Sequence, residues 1–154
     1  MRPQLRSVAI VFLLTSVALA ANESLPALKT RADAAQGGEQ AKLCLEYAHR
    51  LLEDANTLFT NGDVDKAQHE VGEVVEYSRK AADAASTSGK HLKQTEIDLR
   101  KLSKRLRDIA ATLAIEDRPP LLKAVDDIEQ IRADLLARMF GPKAEPKEKP
   151  KEKP

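Results

Sequence analysis

The sequence predicts an all-α protein, an antiparallel bundle of about four long helices with heptad-like seams and a disordered tail. Three observations predict it. Apolar residues recur at alternating spacings of three and four along most of the chain, and no stretch alternates as a strand does. Only 3% of the 154 residues are aromatic while 32% are charged, so a core must come from Ala, Leu, Ile and Val along narrow helical seams. The joints Asn61-Gly62, Ser86 to Gly89 and Ile115 to Pro119 are short, and short joints between long helices make neighbours antiparallel. The length fits one domain.

Residues 1–20 stand apart. Arg2 and Arg6 precede the uncharged run VAIVFLLTSVALA, which closes on Ala18-Leu19-Ala20. A basic start, a short apolar stretch and a small-x-small site describe a secretory signal peptide. The run is shorter than the roughly 20 residues of a membrane span, so cleavage near Ala20 and export to the periplasm or outside the cell are expected. A retained anchor is the alternative. Without the two arginines the net charge passes from +1 to −1, which points to no strongly charged partner.

The domain is expected over residues 21–141, with helices over about 24–60, 63–86, 89–114 and 120–140. In the first, Ala34, Gly37, Ala41, Cys44, Ala48, Leu51, Ala55 and Leu58 form a seam of small residues. It reads as continuous from near Ser24 to Thr60, with a break at Gly37-Gly38 as the alternative, since each helical Gly costs about 1 kcal/mol against Ala. The second carries Val64, Ala67, Val71, Val74, Ser78, Ala81 and Ala85. The third has the strongest seam, Leu92, Thr95, Leu99, Leu102, Leu106, Ile109 and Leu113. The fourth, less regular, runs from Leu121 to Met139. Pro119-Pro120 fixes its start and Gly141-Pro142 its end. Residues 142–154, PKAEPKEKPKEKP, hold nothing that can bury itself and read as a disordered, partly polyproline tail reaching roughly 40 Å at about 3.1 Å per residue.

The stretch TLFTNGDVDKAQ reads as a helix corner. Gly62 suits the left-handed end of one helix, Asp63 the N-cap of the next, and Asp65 its first turn. A calcium loop needs acids before its Gly and a Glu further on, and here the Gly precedes the acids. Ala55, Leu58, Phe59, Gly62, Asp63, Val64 and Ala67 resemble the inter-helix corner of a tetratricopeptide repeat over about 20 residues. The resemblance implies helix-hairpin packing and hints at protein binding. Val74 departs from the pattern, no Pro closes the unit, and no second copy is evident where such stacks need about three. The chain also resembles small exported helical proteins of bacteria.

Cys44, the single cysteine, falls in the first seam where a small buried hydrophobe belongs; an intermolecular disulfide is the alternative. Glu46 and His49 form one E-x-x-H, half of the pair that a di-iron bundle requires, and both lie off the seam. His69 and His91 belong to no haem or zinc motif. Lys93, Arg100, Lys104 and Arg107 follow the outer side of the third helix, which holds seven bases against three acids between Gly89 and Ala114. They read as an anion-binding stripe, or as a face paired with the acidic second helix, six acids against three bases between Asp63 and Ala85. Export and the lack of stacking aromatics argue against nucleic acid.

No phosphate loop, nucleophile elbow or catalytic triad assembles from spacing, and no cofactor is expected. The sequence therefore points to an exported, non-enzymatic helical module that binds a protein partner or itself. A periplasmic metal- or small-ligand-binding bundle, and an envelope-associated protein using the basic third helix or the tail, are the alternatives.

Overall fold

The structure is a computed structural model that describes residues 23–141. The expected signal segment 1–20 and the tail 142–154 lie outside them. Among the described residues there are helices and no strands: α1 Leu25–Ala34, α2 Gly37–Asn61, α3 Val64–Ser88, α4 Leu92–Thr112, a 3-10 turn Ile115–Asp117 and α5 Arg118–Phe140. None of these helices is long and apolar enough to cross a membrane.

The expected continuous helix over 24–60 is not formed. Ala35 and Gln36 are extended, and α1 folds back along α2. Ser24 begins α1, its Oγ accepting from the Ala27 amide at 3.4 Å. Leu28 and Ala32 are fully buried against the following helices. The Asp33 carboxylate accepts from the Tyr77 hydroxyl at 2.8 Å, Lys29 pairs with Glu73, and Arg50 donates to the Glu23 carbonyl at 2.5 Å. These contacts outweigh the modest helix preference of the two linking residues. Gly37 takes φ +58°, a left-handed conformation that L side chains rarely adopt.

Helices α2 and α3 form an antiparallel hairpin. Gly37 lies by Ser88 at one end, Tyr47 meets Tyr77 edge-on with ring centroids 4.5 Å apart, and Asp54 contacts Glu70 nearer the turn. Ala41, Cys44, Ala48, Ala81 and Ala85 are fully buried, and small side chains let two backbones approach closely. At the turn Gly62 has φ +84°, its amide donating to Phe59 O at 3.1 Å while the Asp63 amide donates to Leu58 O at 2.9 Å. Asp63 occupies the N-cap of α3, but its carboxylate makes no cap hydrogen bond.

A second antiparallel hairpin joins α4 and α5, where Glu96 pairs with Arg132 at 2.7 Å and Arg107 with Glu129 at 3.2 Å. Helix α5 starts at Arg118 rather than at residue 120, because Pro119 and Pro120 sit in its first turn, where a missing amide costs nothing. Between the hairpins the neighbours are like-directed. On α2 and α4, His49 faces Asp98 and Glu53 faces Arg105, both advancing together. It follows that α3 and α5 also run the same way, tied by Asp83 and Arg138 at 3.1 Å.

The seams of α3 and α4 are buried through Ala67, Val71, Val74, Ser78, Ala81, Ala85 and Thr95, Leu99, Leu102, Leu106, Ile109, while their end members Val64, Leu92 and Leu113 are half-buried. Helix α2 is buried far beyond its seam. Leu43, Leu45, Tyr47, Leu52 and Phe59 join Ala41, Cys44, Ala48, Leu51 and Ala55 in the core, because α1, α3 and α4 cover it from three directions. Ala34 is exposed and Leu58 only half-buried, so the outer positions of the expected seam lie outside the core.

Candidate functional site

A cleft of about 390 Å³ opens where α2 and α4 run side by side. Helix α2 contributes Lys42, Leu45, Glu46 and His49; α4 and the residue before it contribute His91, Gln94, Thr95 and Asp98. Each set repeats the same spacing of three, one and three, which is one stripe of a helix. Two like-directed helices with matching stripes make one continuous trough.

Its shape follows from local packing. At the lower end a Cβ on Gly38 would lie 2.8 Å from His91 Cδ2 and 2.9 Å from Lys90 Cβ, so only glycine lets the α3–α4 loop come this close. His91 takes φ +59°, the one non-glycine residue with positive φ among those described. Such backbone costs about 1–3 kcal/mol and persists only where its surroundings enforce it. At the other end His49 Nε2 stands 4.0 Å from Asp98 Oδ1. One turn beyond, Arg105 donates to both carboxylate oxygens of Glu53 at 2.8 and 2.7 Å. Those hydrogen bonds hold the Glu53 carboxyl below its ordinary value.

Leu45 and Thr95, both buried, form the inner wall. Thr95 is fully buried and its Oγ1 has no hydrogen-bond partner among the described residues. Burial is the main influence on His49 and lowers its pKa, with Asp98 opposing, so the imidazole is neutral near pH 7. Asp98 accepts from Gln94 at 2.9 Å and from Lys101 at 3.2 Å, and is thereby oriented. The trough is apolar within and lined at its rim by Lys42, Glu46 and Gln94, which are exposed.

Glu46, His49 and His91 therefore share a site, although Glu46-x-x-His49 falls short of a di-iron motif. Among the described residues, no three His, Cys, Asp or Glu side chains are placed to hold a metal ion together. The signal that marks this site in the sequence is the repeated three-one-three spacing of its lining residues, Lys42, Leu45, Glu46 and His49 and again His91, Gln94, Thr95 and Asp98.

The other expected residues lie elsewhere. Gly62, Asp63 and Asp65 form the α2–α3 corner. Cys44 is fully buried, and burial pushes its thiol up to about 11. Lys93, Arg100, Lys104 and Arg107 are exposed on α4. Two of them are paired, Lys104 with Asp108 at 3.2 Å and Arg107 with Glu129 at 3.2 Å. The expected pairing of basic α4 with acidic α3 is not made among the described residues. Helix α4 turns its charges to α2 and α5 instead, Arg105 to Glu53, Arg107 to Glu129 and Glu96 to Arg132.

A carboxyl pair absent from the sequence reading lies between α2 and α3. Burial, then the Asp54 carboxylate beside it, pushes Glu70 up to about 7, and Glu70 Oε2 is buried with no hydrogen-bond partner among the described residues.

No protein family matches this chain. A search of curated proteins and of solved structures likewise finds no match. The tetratricopeptide resemblance rests on residues 55–67 alone.

Proposed function

We propose that this chain is an exported, non-enzymatic helical binding protein whose ligand seat is the trough between α2 and α4. One observation carries the reading. The cleft, about 390 Å³, has an apolar inner wall and a few convergent polar groups, and its volume falls in the roughly 300–1,000 Å³ range of small-molecule sites. The ligand it suits is compact and largely apolar, with one or two hydrogen-bonding groups. The neutral imidazole of His49, the ring of His91 and the idle Thr95 hydroxyl would meet those groups. Lys42 and Glu46 bring both signs of charge to the rim, which favours a ligand of no net charge. The one thiol, Cys44, is buried and holds its proton, which supports a role without a cysteine nucleophile.

The reading takes residues 21–141 as one bundle of four long helices built from two antiparallel hairpins, with α1 laid on the first. It takes the amino-terminal segment as a signal peptide and the Pro-Lys-Glu tail as a spacer. The test is an NMR titration of the uniformly labelled protein with neutral aromatic and aliphatic fragments. Shifts clustered on Leu45, His49, His91 and Thr95, abolished by Gln94→Trp at the rim, are expected. A fragment set that moves no resonance in this group refutes the reading.

A second reading, binding of a protein partner or a second copy, is favoured by exposed Ile115 and Leu122 at the α4–α5 corner, 77% and 46% accessible. Crosslinking in its native extract tests it; a monomer that captures no partner ends it. Envelope contact through Lys93 and Arg100 predicts binding to anionic vesicles that disappears at high salt, since exposed charges are screened over about 8 Å at physiological ionic strength.

A further inference from the structure

We propose that α1 is an exchangeable arm: the slot it fills on its own α2–α3 hairpin also receives α1 from a second copy of this chain, giving a domain-swapped dimer. The contacts that hold α1 define the occupant. Leu28 and Ala32 are its only fully buried side chains, its polar ties run to Glu73, Tyr77 and Lys80, and Arg50 holds the Glu23 carbonyl just before it. Lys80 lies 3.3 Å from Asp33 and 4.2 Å from the Tyr77 ring centroid. Every one of those partners belongs to α2 or α3. A second copy's α1 offers the same side chains in the same order, so the swapped contacts equal the native ones without any new surface.

The hinge supplies the means. Only Ala35 and Gln36 separate α1 from α2, and neither resists a helical conformation. The small-residue rhythm Ala34, Gly37, Ala41, Cys44 runs across them without a break. Residues 25–61 can therefore be one straight helix of roughly 55 Å at 1.5 Å per residue. Straightening carries α1 off the end of its own α2, leaves its slot open and presents Leu28 and Ala32 to another chain. Short hinges that force a reversal are those that favour exchange. The closed form depends on the left-handed Gly37 at φ +58°, a conformation that a straight helix does not need.

Gly37→Ala therefore penalises the closed hinge and favours the straight one. A left-handed Ala and a helical Gly are both disfavoured, which together shift the open-to-closed ratio roughly 30- to 150-fold per chain. Two hinges open per dimer, so the association constant rises roughly 10³- to 10⁴-fold.

The experiment uses chains carrying Cys44→Ala with Lys29→Cys and Glu73→Cys, bridged by a short bis-maleimide. Without Gly37→Ala, dilute protein should give a monomer bridged within the chain. With it, light scattering should give a dimer, and the bridge should join two chains on a denaturing gel. A folded Gly37→Ala monomer, or a dimer bridged only within each chain, overturns the proposal. Should Gly37→Ala fail to fold, a chain with Lys29→Cys alone is annealed at millimolar concentration with one carrying Glu73→Cys alone. Bridged heterodimers then support exchange and their absence refutes it. None of these outcomes bears on ligand binding at the α2–α4 trough, which is read by a separate titration.

Discussion

Gly38 and Gly72 both lie within helices, and the structure predicts opposite consequences for the same substitution. At Gly72, on the exposed face of α3, a new Cβ meets nothing within 4 Å. Gly72→Ala gains only helix preference, about 0.5–1 kcal/mol. At Gly38 the Cβ would lie 2.8 Å from His91 Cδ2 and 2.9 Å from Lys90 Cβ. The His91 ring can swing, but Lys90 Cβ is attached to the backbone of a loop already strained at His91, so the loop itself must move. Overpacking of this kind costs about 1–3 kcal/mol, and a position near a helix start recovers less than the full helix preference. Gly38→Ala should lose about 0.5–2 kcal/mol net, so the two variants differ by about 1–3 kcal/mol. Urea unfolding followed by far-UV circular dichroism measures both, and each 1 kcal/mol moves Tm by about 3–6 °C in a domain this size. If Gly38→Ala is as stable as Gly72→Ala, the close contact of α2 with the α3–α4 loop is wrong, and with it the lower end of the trough.

Glu70, raised to about 7 by burial and then by Asp54, binds its proton in the folded chain where the unfolded chain has lost it. Its contribution to stability is complete below about pH 4.5 and is lost as pH rises to about 7, roughly 1–2 kcal/mol after allowance for partial exposure. His49, lowered by burial, works the other way, adding stability as pH rises through about 6.5. Comparing Glu70→Gln with the parent isolates the carboxyl; parallel stability curves from pH 4 to 8 would contradict its burial beside Asp54. Cys44, buried with its thiol near 11, should react with maleimide only as fast as the chain opens. The solution mass should also ignore reductant; a dimer that reductant splits would place this thiol outside the core. Thr95→Val removes a fully buried hydroxyl with no partner among the described residues and should stabilise the free protein by about 1 kcal/mol in urea unfolding. A loss of stability instead would mean that the hydroxyl is already satisfied.

Helices α3 and α4 are readable in the sequence because the centre of each buried face is a seam of spacing three and four, although Tyr77, Ala82 and Ala84 widen the face of α3 and Ser103 and Ala110 that of α4. Helix α2 is less readable. Its Leu43, Leu45, Tyr47 and Leu52 look like excess hydrophobes until α1, α3 and α4 are placed around it. Ala35 and Gln36 themselves carry no mark of the reversal, since neither residue breaks helices. It is decided by Asp33 reaching Tyr77 and Lys29 reaching Glu73, contacts forty-four positions apart. Gly37-Gly38 does mark the place, though one glycine serves a left-handed turn and the other makes room for a loop. The trough was hidden for a related reason. Its two stripes are legible singly, but only the like-directed packing of α2 and α4 sets His49 opposite Asp98, and short joints suggest antiparallel neighbours.

The turn at Gly62-Asp63 bears on how the chain finds its shape. With two residues between α2 and α3, the entropy of closing that loop is small, and most of the interface forms between segments adjacent in sequence. The same is true of α4 with α5. Each hairpin can thus appear early and largely on its own, on the microsecond-to-millisecond scale of helical proteins. The docking of one hairpin on the other is the slower step, and the trough exists only after it. Helix α1, whose slot is built by α2 and α3, can dock as soon as that first hairpin exists. During synthesis it emerges ahead of that hairpin, before the slot it will occupy has been made.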